Sequence, residues 1–126
     1  MARHNELGKW GENIAMELLV TQGYAIRETN WHMGNKEVDI IAQKDNFIVF
    51  VEVKTRGTDF VDPVSAVNRR RMMRMVSVAD CYMRAQDLPH DVRFDIISII
   101  GNPDSGTPPQ VEHIVDAFLP PLRSVR

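Results

Sequence analysis

The chain has 126 residues, 44% of them hydrophobic and 25% charged, which fits one compact domain with its own core and gives no expectation of a second. A net charge of -2 argues against coating nucleic acid through bulk positive charge, so phosphate contacts must come from a local basic cluster. The single cysteine, Cys81, excludes an internal disulfide, no apolar run is long enough to span a membrane, and no apolar signal segment follows Met1, so a cytoplasmic protein without membrane attachment is expected.

Leu7, Trp10, Ile14, Leu18 and Leu19 recur at helical spacing and predict a helix from about Glu6 to Gln22, stopped by Gly23. Gly8 and Gly11 weaken its start; close approach of a neighbouring strand would explain Gly11. Glu12 sits at the margin of the apolar stripe, and spacing alone reads it as a solvated charge. Tyr24 to Arg27 is a short first strand. A polar connection containing Asn30, Trp31, His32, Gly34 and Asn35 follows, in which Trp31 reads more readily as a cap on the core edge than as a platform for a base.

Residues 37 to 55 form a hairpin with charge in its interior. Two runs rich in Val, Ile and Phe flank Asp45-Asn46, and both of those residues tolerate the positive φ of a two-residue turn. With that turn, paired positions sum to 91. Asp39 then faces Glu52 and Glu37 faces Lys54, all on one side of the sheet. Directly opposed residues have Cβ atoms about 5 Å apart. Two carboxylates at that distance repel by roughly 3 kcal/mol at an effective dielectric near 20. Lys54 offsets part of this, and a shared divalent cation would offset more. The simpler alternative, a Glu52–Lys54 pair on a solvated strand, fits poorly with Ile48, Val49, Phe50, Val51 and Val53, which mark an interior strand buried on both faces.

Asp62-Pro63 reads as an N-cap followed by proline in the first helical position, opening a long helix to about Gln86. Val64, Val67, Met75, Val78, Ala79 and Tyr82 mark its apolar face. Arg71 lies four residues after Val67 and four before Met75, so it points with that face and needs an anion: the hairpin carboxylates, a substrate phosphate, or water reached by snorkelling. Arg69, Arg70 and Arg74 form a solvated face that can double as a contact for a phosphate backbone. Val92 to Ile100 is a strong strand on which Arg93 and Asp95 share one face; Asp95 is a candidate further acid near the site, but an ion pair with Arg93 is the simpler reading. A loop from Gly101 to Pro109 leads to an edge strand, Val111 to Val115, and Pro120-Pro121 ends regular structure.

The order α-β-β-β-α-β-β predicts a single α/β domain, a mixed β-sheet with flanking helices. Acids placed as Asp39 and Glu52 are can bind magnesium, which takes one or two carboxylates together with waters and phosphate oxygens. Such an ion activates water and neutralises charge on a phosphodiester, while Lys54 orients the water or meets the developing charge. The four histidines and one cysteine lack zinc-site spacing, and no glycine-rich phosphate loop or nucleophile motif points to a small-molecule enzyme.

Asp39 followed by Glu52-Val53-Lys54 resembles the lone aspartate and Glu-x-Lys element of the PD-(D/E)XK nuclease superfamily, the restriction-endonuclease-like fold shared with archaeal Holliday-junction resolvases. Over nearly its whole length the chain is similar to the YraN-type family of small, largely uncharacterised bacterial proteins. The stretches that carry this are Gly11-Glu12, Asn30, Glu37-Val38-Asp39, Phe50 to Arg56, Arg93-Phe94-Asp95 and His113 to Phe118. The resemblance implies a metal-dependent endonuclease acting on DNA, branched or flapped, with Asp39, Glu52, Lys54 and Glu12 as catalytic residues. It raises Glu12 to a ligand, beside Asp39 and Glu52, of Mg2+ or Mn2+. Arg71, Arg56 and Arg70 are the candidates for substrate contact, and a homodimer would suit a two-fold junction. Arg71 stands where the family usually has lysine, and Lys36 where glycine commonly precedes Glu37. The rival reading is a non-catalytic module that binds DNA structures or protein on the same scaffold.

Overall fold

The computed structural model describes residues 2–57 and 69–118. Its elements are α1 (Ala2–Thr21), β1 (Ala25–Met33), β2 (Lys36–Lys44), β3 (Phe47–Arg56), α2 (Arg69–Gln86), β4 (Asp91–Ile100) and β5 (Gln110–Ile114). The expected order α-β-β-β-α-β-β is the observed one. The strands form one sheet in the order β1-β2-β3-β4-β5, antiparallel except for the β3–β4 pair, so the sheet is mixed and β5 lies at its edge as expected. Parallel pairing of β3 and β4 requires a crossover, and α2 lies within it. The expected N-cap at Asp62, the helix start at Pro63, the apolar positions Val64 and Val67, and Pro120-Pro121 lie outside the described residues. Among the described residues no helix is long and apolar enough to cross a membrane.

Alternation along the central strands gives each face of the sheet its own core. Ile40, Ala42, Val49, Val51, Ile97 and Ile99 pack with Ala15 and Leu19 of α1. Ile41, Ile48, Phe50 and Phe94 pack with Met75, Val78, Ala79 and Tyr82 of α2. β3 is therefore covered on both faces, and its buried run from Ile48 to Glu52 is the centre of the domain.

The first strand is longer than its composition indicates. Residues 28–33, which read as a polar connection, continue β1 and pair with residues 36–41 of β2. An edge strand keeps one backbone side and much of one face in water, so polar side chains there are compatible with pairing. Trp31 caps the core edge, its ring 5.1 Å from Tyr82 and nearly perpendicular to it.

A buried polar network anchors the opposite end of β4. Asp95 is fully buried, accepts from Arg93 Nε and Nη2 at 2.9 and 2.8 Å, lies 2.7 Å from His113 Nε2 and accepts from the Asp116 amide at 3.0 Å. Arg93 also donates to the Tyr24 hydroxyl. Burial alone would raise the Asp95 pKa, but the bonds from His113, Arg93 and the Asp116 amide outweigh it and hold the carboxyl below the usual range. A depressed folded-state pKa contributes stability that is present above the unfolded value and lost as pH falls through the folded one. Urea unfolding followed from about pH 6 downward should therefore show stability falling from about pH 4, the ordinary aspartate range. The same acid limb should be flatter in Asp95→Asn.

Candidate active site

The β2–β3 hairpin turns at Asp45, whose φ of 54° is the left-handed conformation the turn requires. Its ladder runs from Lys44–Phe47 to Ile40–Val51, every pair in the register that sums to 91, and stops there. Asp39 and Glu52 would be the next pair and Glu37 with Lys54 a later one, so the fully opposed arrangement read from the sequence is corrected at this point. The strands diverge because each has a second partner. β2 continues against β1 through Val38, Glu37 and Lys36, whereas β3 continues against β4 from Glu52 to Arg56.

Asp39 and Glu52 stand at the base of the resulting fork. Asp39 also falls at a gap in the β1–β2 ladder, where Thr29 pairs with Ile40 and Trp31 with Val38, passing over Asn30 and Asp39. Asn30 takes a φ of 51°, a conformation asparagine tolerates better than most residues. Strict alternation would put Val38 and Ile40 on one face, yet Val38 packs on the α2 side and Ile40 on the α1 side. Asp39 is the residue at this slip. Its Oδ2 accepts the Val53 amide at 2.8 Å, so its side chain takes the place of a strand acceptor inside the fork.

Each flanking helix supplies a charge. α1 crosses β3 so closely that a Cβ on Gly11 would lie 1.9 Å from Thr55 Oγ1, which is the close approach the sequence predicts for this glycine. The next residue, Glu12, faces a cavity of about 330 Å³ that Asp39, Lys54, Arg56 and Arg71 also line. Asn30 Nδ2 donates to Glu12 Oε1 at 3.2 Å, holding the helix carboxylate toward the fork. From the other side, Arg71 pairs with Glu52 Oε2, and Lys54 Nζ lies 3.9 Å from the same oxygen. The anion that the fold supplies to Arg71 is the hairpin carboxylate of Glu52.

The acids are held away from their ordinary titration. Burial, then repulsion from Glu52 and Glu12, raises the Asp39 pKa to about 7 against the opposing Val53 amide and Arg71. Glu52, only 2% exposed, is also raised, by burial first, with Arg71 and Lys54 opposing. Among the described residues no three or more His, Cys, Asp or Glu side chains form a group that could hold a metal by themselves, so Asp39, Glu52 and Glu12 are not a protein cage. The donor set still fits magnesium, which is satisfied by one or two carboxylates with waters and phosphate oxygens. Two carboxylates that repel each other beside a polar cavity, Glu52 buried and Asp39 half-buried, are chemically suited to such an ion.

Of the residues singled out in the sequence, the fold gathers Glu12, Asp39, Lys54, Arg56 and Arg71 around one cavity, with Glu52 beneath Arg71. Arg70 does not line it and belongs to a separate groove on the outside of α2. Asn30 is the residue that sequence reasoning left in a loop; its tolerance of left-handed φ was the available signal.

Comparison with known proteins places this chain among close sequence relatives. The model of a family described as "Uncharacterised protein family UPF0102" matches residues 11–99. A UPF0102 protein of Bacteroides thetaiotaomicron is 48% identical over 123 residues, covering 97% of this chain and 99% of the relative. One from Phocaeicola vulgatus is 45% identical with the same coverage, and one from Parabacteroides distasonis is 43% identical over 98% of this chain and 100% of its own length.

Proposed function

This chain belongs to the uncharacterised UPF0102 family, and we propose that its acidic fork is the active site of a Mg2+- or Mn2+-dependent endonuclease acting on DNA. The observation that carries the reading is the divergence of β2 and β3 at Asp39 and Glu52, which leaves two mutually repelling carboxylates at an open polar cleft: half-buried Asp39 lines it with Lys54 and Arg71, and buried Glu52 lies beneath Arg71. A purely structural fork would be cheaper with apolar or neutral residues, because even a paired charge loses solvation when it is buried.

Asp39 and Glu52 would hold the cation, with Glu12 as a further ligand. The bound ion would supply water activation and neutralise charge on the scissile phosphate. Lys54, on the same face of β3 as Glu52, orients the attacking water or meets the developing negative charge. Arg71 serves the resting protein by answering Glu52 and can offer its planar fork to a phosphate when substrate enters. Arg56 contributes a third cation to the cavity wall, beside Lys54 and Arg71. The Asn30–Glu12 hydrogen bond orients the helix acid before anything binds. A homodimer on a two-fold branched substrate, in the cytoplasm, completes the proposal.

One observation favours a second reading: Glu52 is already answered by Arg71 and Lys54, as suits a module that binds DNA structure or protein without cleaving it. Incubating the purified protein with labelled four-way junction, flap and linear duplex, with Mg2+, Mn2+ or EDTA, separates the two. The nuclease reading expects cation-dependent cuts, faster on branched DNA and absent in EDTA. Tight DNA binding with no product under any cation would establish the module instead.

A further inference from the structure

We propose that the outer face of α2 carries a second phosphate-binding site, formed by Lys36, Arg70 and Arg74, which takes the polynucleotide backbone beyond the nucleotides that enter the acidic cleft. This rests on the reading of the cleft as a site for DNA.

Arg70, Arg74 and Ser77 lie at i, i+4 and i+7, on one side of the helix. Lys36 reaches them from the start of β2, its Nζ donating to Ser77 Oγ at 3.1 Å, so the lysine is drawn onto the helix surface. Together with Asp80 and the exposed Met73 they line a groove of about 410 Å³. Three cations thus face one acid, and Asp80 is already paired with Arg84 at 3.3 Å.

The groove is not isolated from the cleft. Asp39 and Arg71 line both the acidic cavity and a smaller one of about 150 Å³, and Arg74 lines both that smaller cavity and the outer groove. Glu37, on the middle cavity, lies 3.7 Å from His32 Nε2. The three cavities therefore adjoin one another, from Glu12 and Asp39, past Arg71 and Arg74, to Lys36. Along the helix Arg74 lies three residues from Arg71, about 4.5 Å at the usual rise, and Ser77, where Lys36 Nζ rests, lies six residues from it, about 9 Å. Backbone phosphates advance about 3.4 Å each along a duplex axis, so the second site covers about one to three nucleotides beyond the first. Evenly repeated anions are what a polynucleotide backbone presents and what a point ligand lacks.

The test is fluorescence anisotropy of a labelled 20-base-pair DNA duplex in EDTA, over a range of NaCl, with wild type and the triple variant Lys36→Gln, Arg70→Gln, Arg74→Gln. EDTA removes any dependence on hydrolysis, so a failure of the nuclease reading leaves this result interpretable. Each lost phosphate contact should lower the slope of log affinity against log salt by about 0.9, so a drop of about 2 to 3 is expected, with weaker binding at low salt. Thermal melting confirms folding, and the single variants Arg70→Gln and Arg74→Gln, at exposed positions, give partial slope changes if the triple variant melts early. An RNA duplex of the same sequence shows which polynucleotide supplies the phosphates; a reduced slope with either supports the site. Unchanged affinity and slope overturn the proposal, as does poly-glutamate competing as effectively as DNA, which would identify an acidic protein as the ligand.

Discussion

Asp39→Asn is expected to reduce cation-dependent DNA cleavage about a thousandfold while leaving the fold intact. The amide oxygen of asparagine can still accept the Val53 N–H that Asp39 holds at 2.8 Å, so the fork keeps its strand-like bond and loses only its charge. Charge stabilisation by a catalytic metal is worth several kcal/mol, and each 1.36 kcal/mol is a factor of ten in rate. Glu52→Gln should give a loss of similar size, with the added effect that Arg71 and Lys54 lose their charged partner. A second readout distinguishes this from simple damage. In the metal-free protein the folded-state pKa of Asp39 is raised from 3.8 to about 7, so the folded state holds the proton more tightly than the unfolded chain does. Stability is then lost as pH rises from about 4 to about 7, and at pH 8 the ionised carboxylate is a cost. Asp39→Asn should therefore melt higher than wild type at pH 8 in EDTA, with the difference shrinking toward pH 5. An aspartate kept only for structure would give the opposite sign at pH 8.

Gly11→Val should destabilise the protein by about 3 kcal/mol, the upper end of what overpacking costs. The reason is geometric: the added Cβ would meet Thr55 Oγ1 at 1.9 Å and Thr55 Cβ at 3.0 Å, so α1 has to lift off β3. For a domain of this size that corresponds to a fall in melting temperature of about 10 °C. Thr55→Ala in the same background removes the nearest clash and leaves the second, so it should recover part of the loss. Glu12 follows Gly11 on the helix, so the lifted helix also carries its carboxylate away from Asp39. Activity should fall more than the residual folded fraction explains.

The hairpin was legible because three local signals agree: Val, Ile and Phe in both strands, a turn pair that accepts positive φ, and a single register that follows from it. Arg71 was legible for the same kind of reason, since its spacing to Met75 fixes its direction on α2 whatever the rest of the chain does. Gly11 was readable as a close approach because a glycine inside a helix costs stability, although the same signal at Gly8 marks no contact. The fork was not readable. Whether the β2–β3 ladder continues past Ile40–Val51 depends on β2 staying with β1 and β3 staying with β4, a competition between partners distant in sequence. The extension of β1 was hidden by polar residues suited to an edge, and Asn30 with it. The pair of Asp95 with Arg93 follows from alternation on one strand. Its bond to His113 depends on how β5 returns to the sheet, which no local pattern states.

Calorimetric titration of Mn2+ into wild type and Asp39→Asn, at matched pH and ionic strength, tests most directly whether the acidic fork is a cation site. The account predicts a saturable binding heat in wild type that is lost or weakened at least tenfold in Asp39→Asn. Binding of equal strength in both proteins, or none in wild type even with a non-cleavable DNA duplex present, contradicts it.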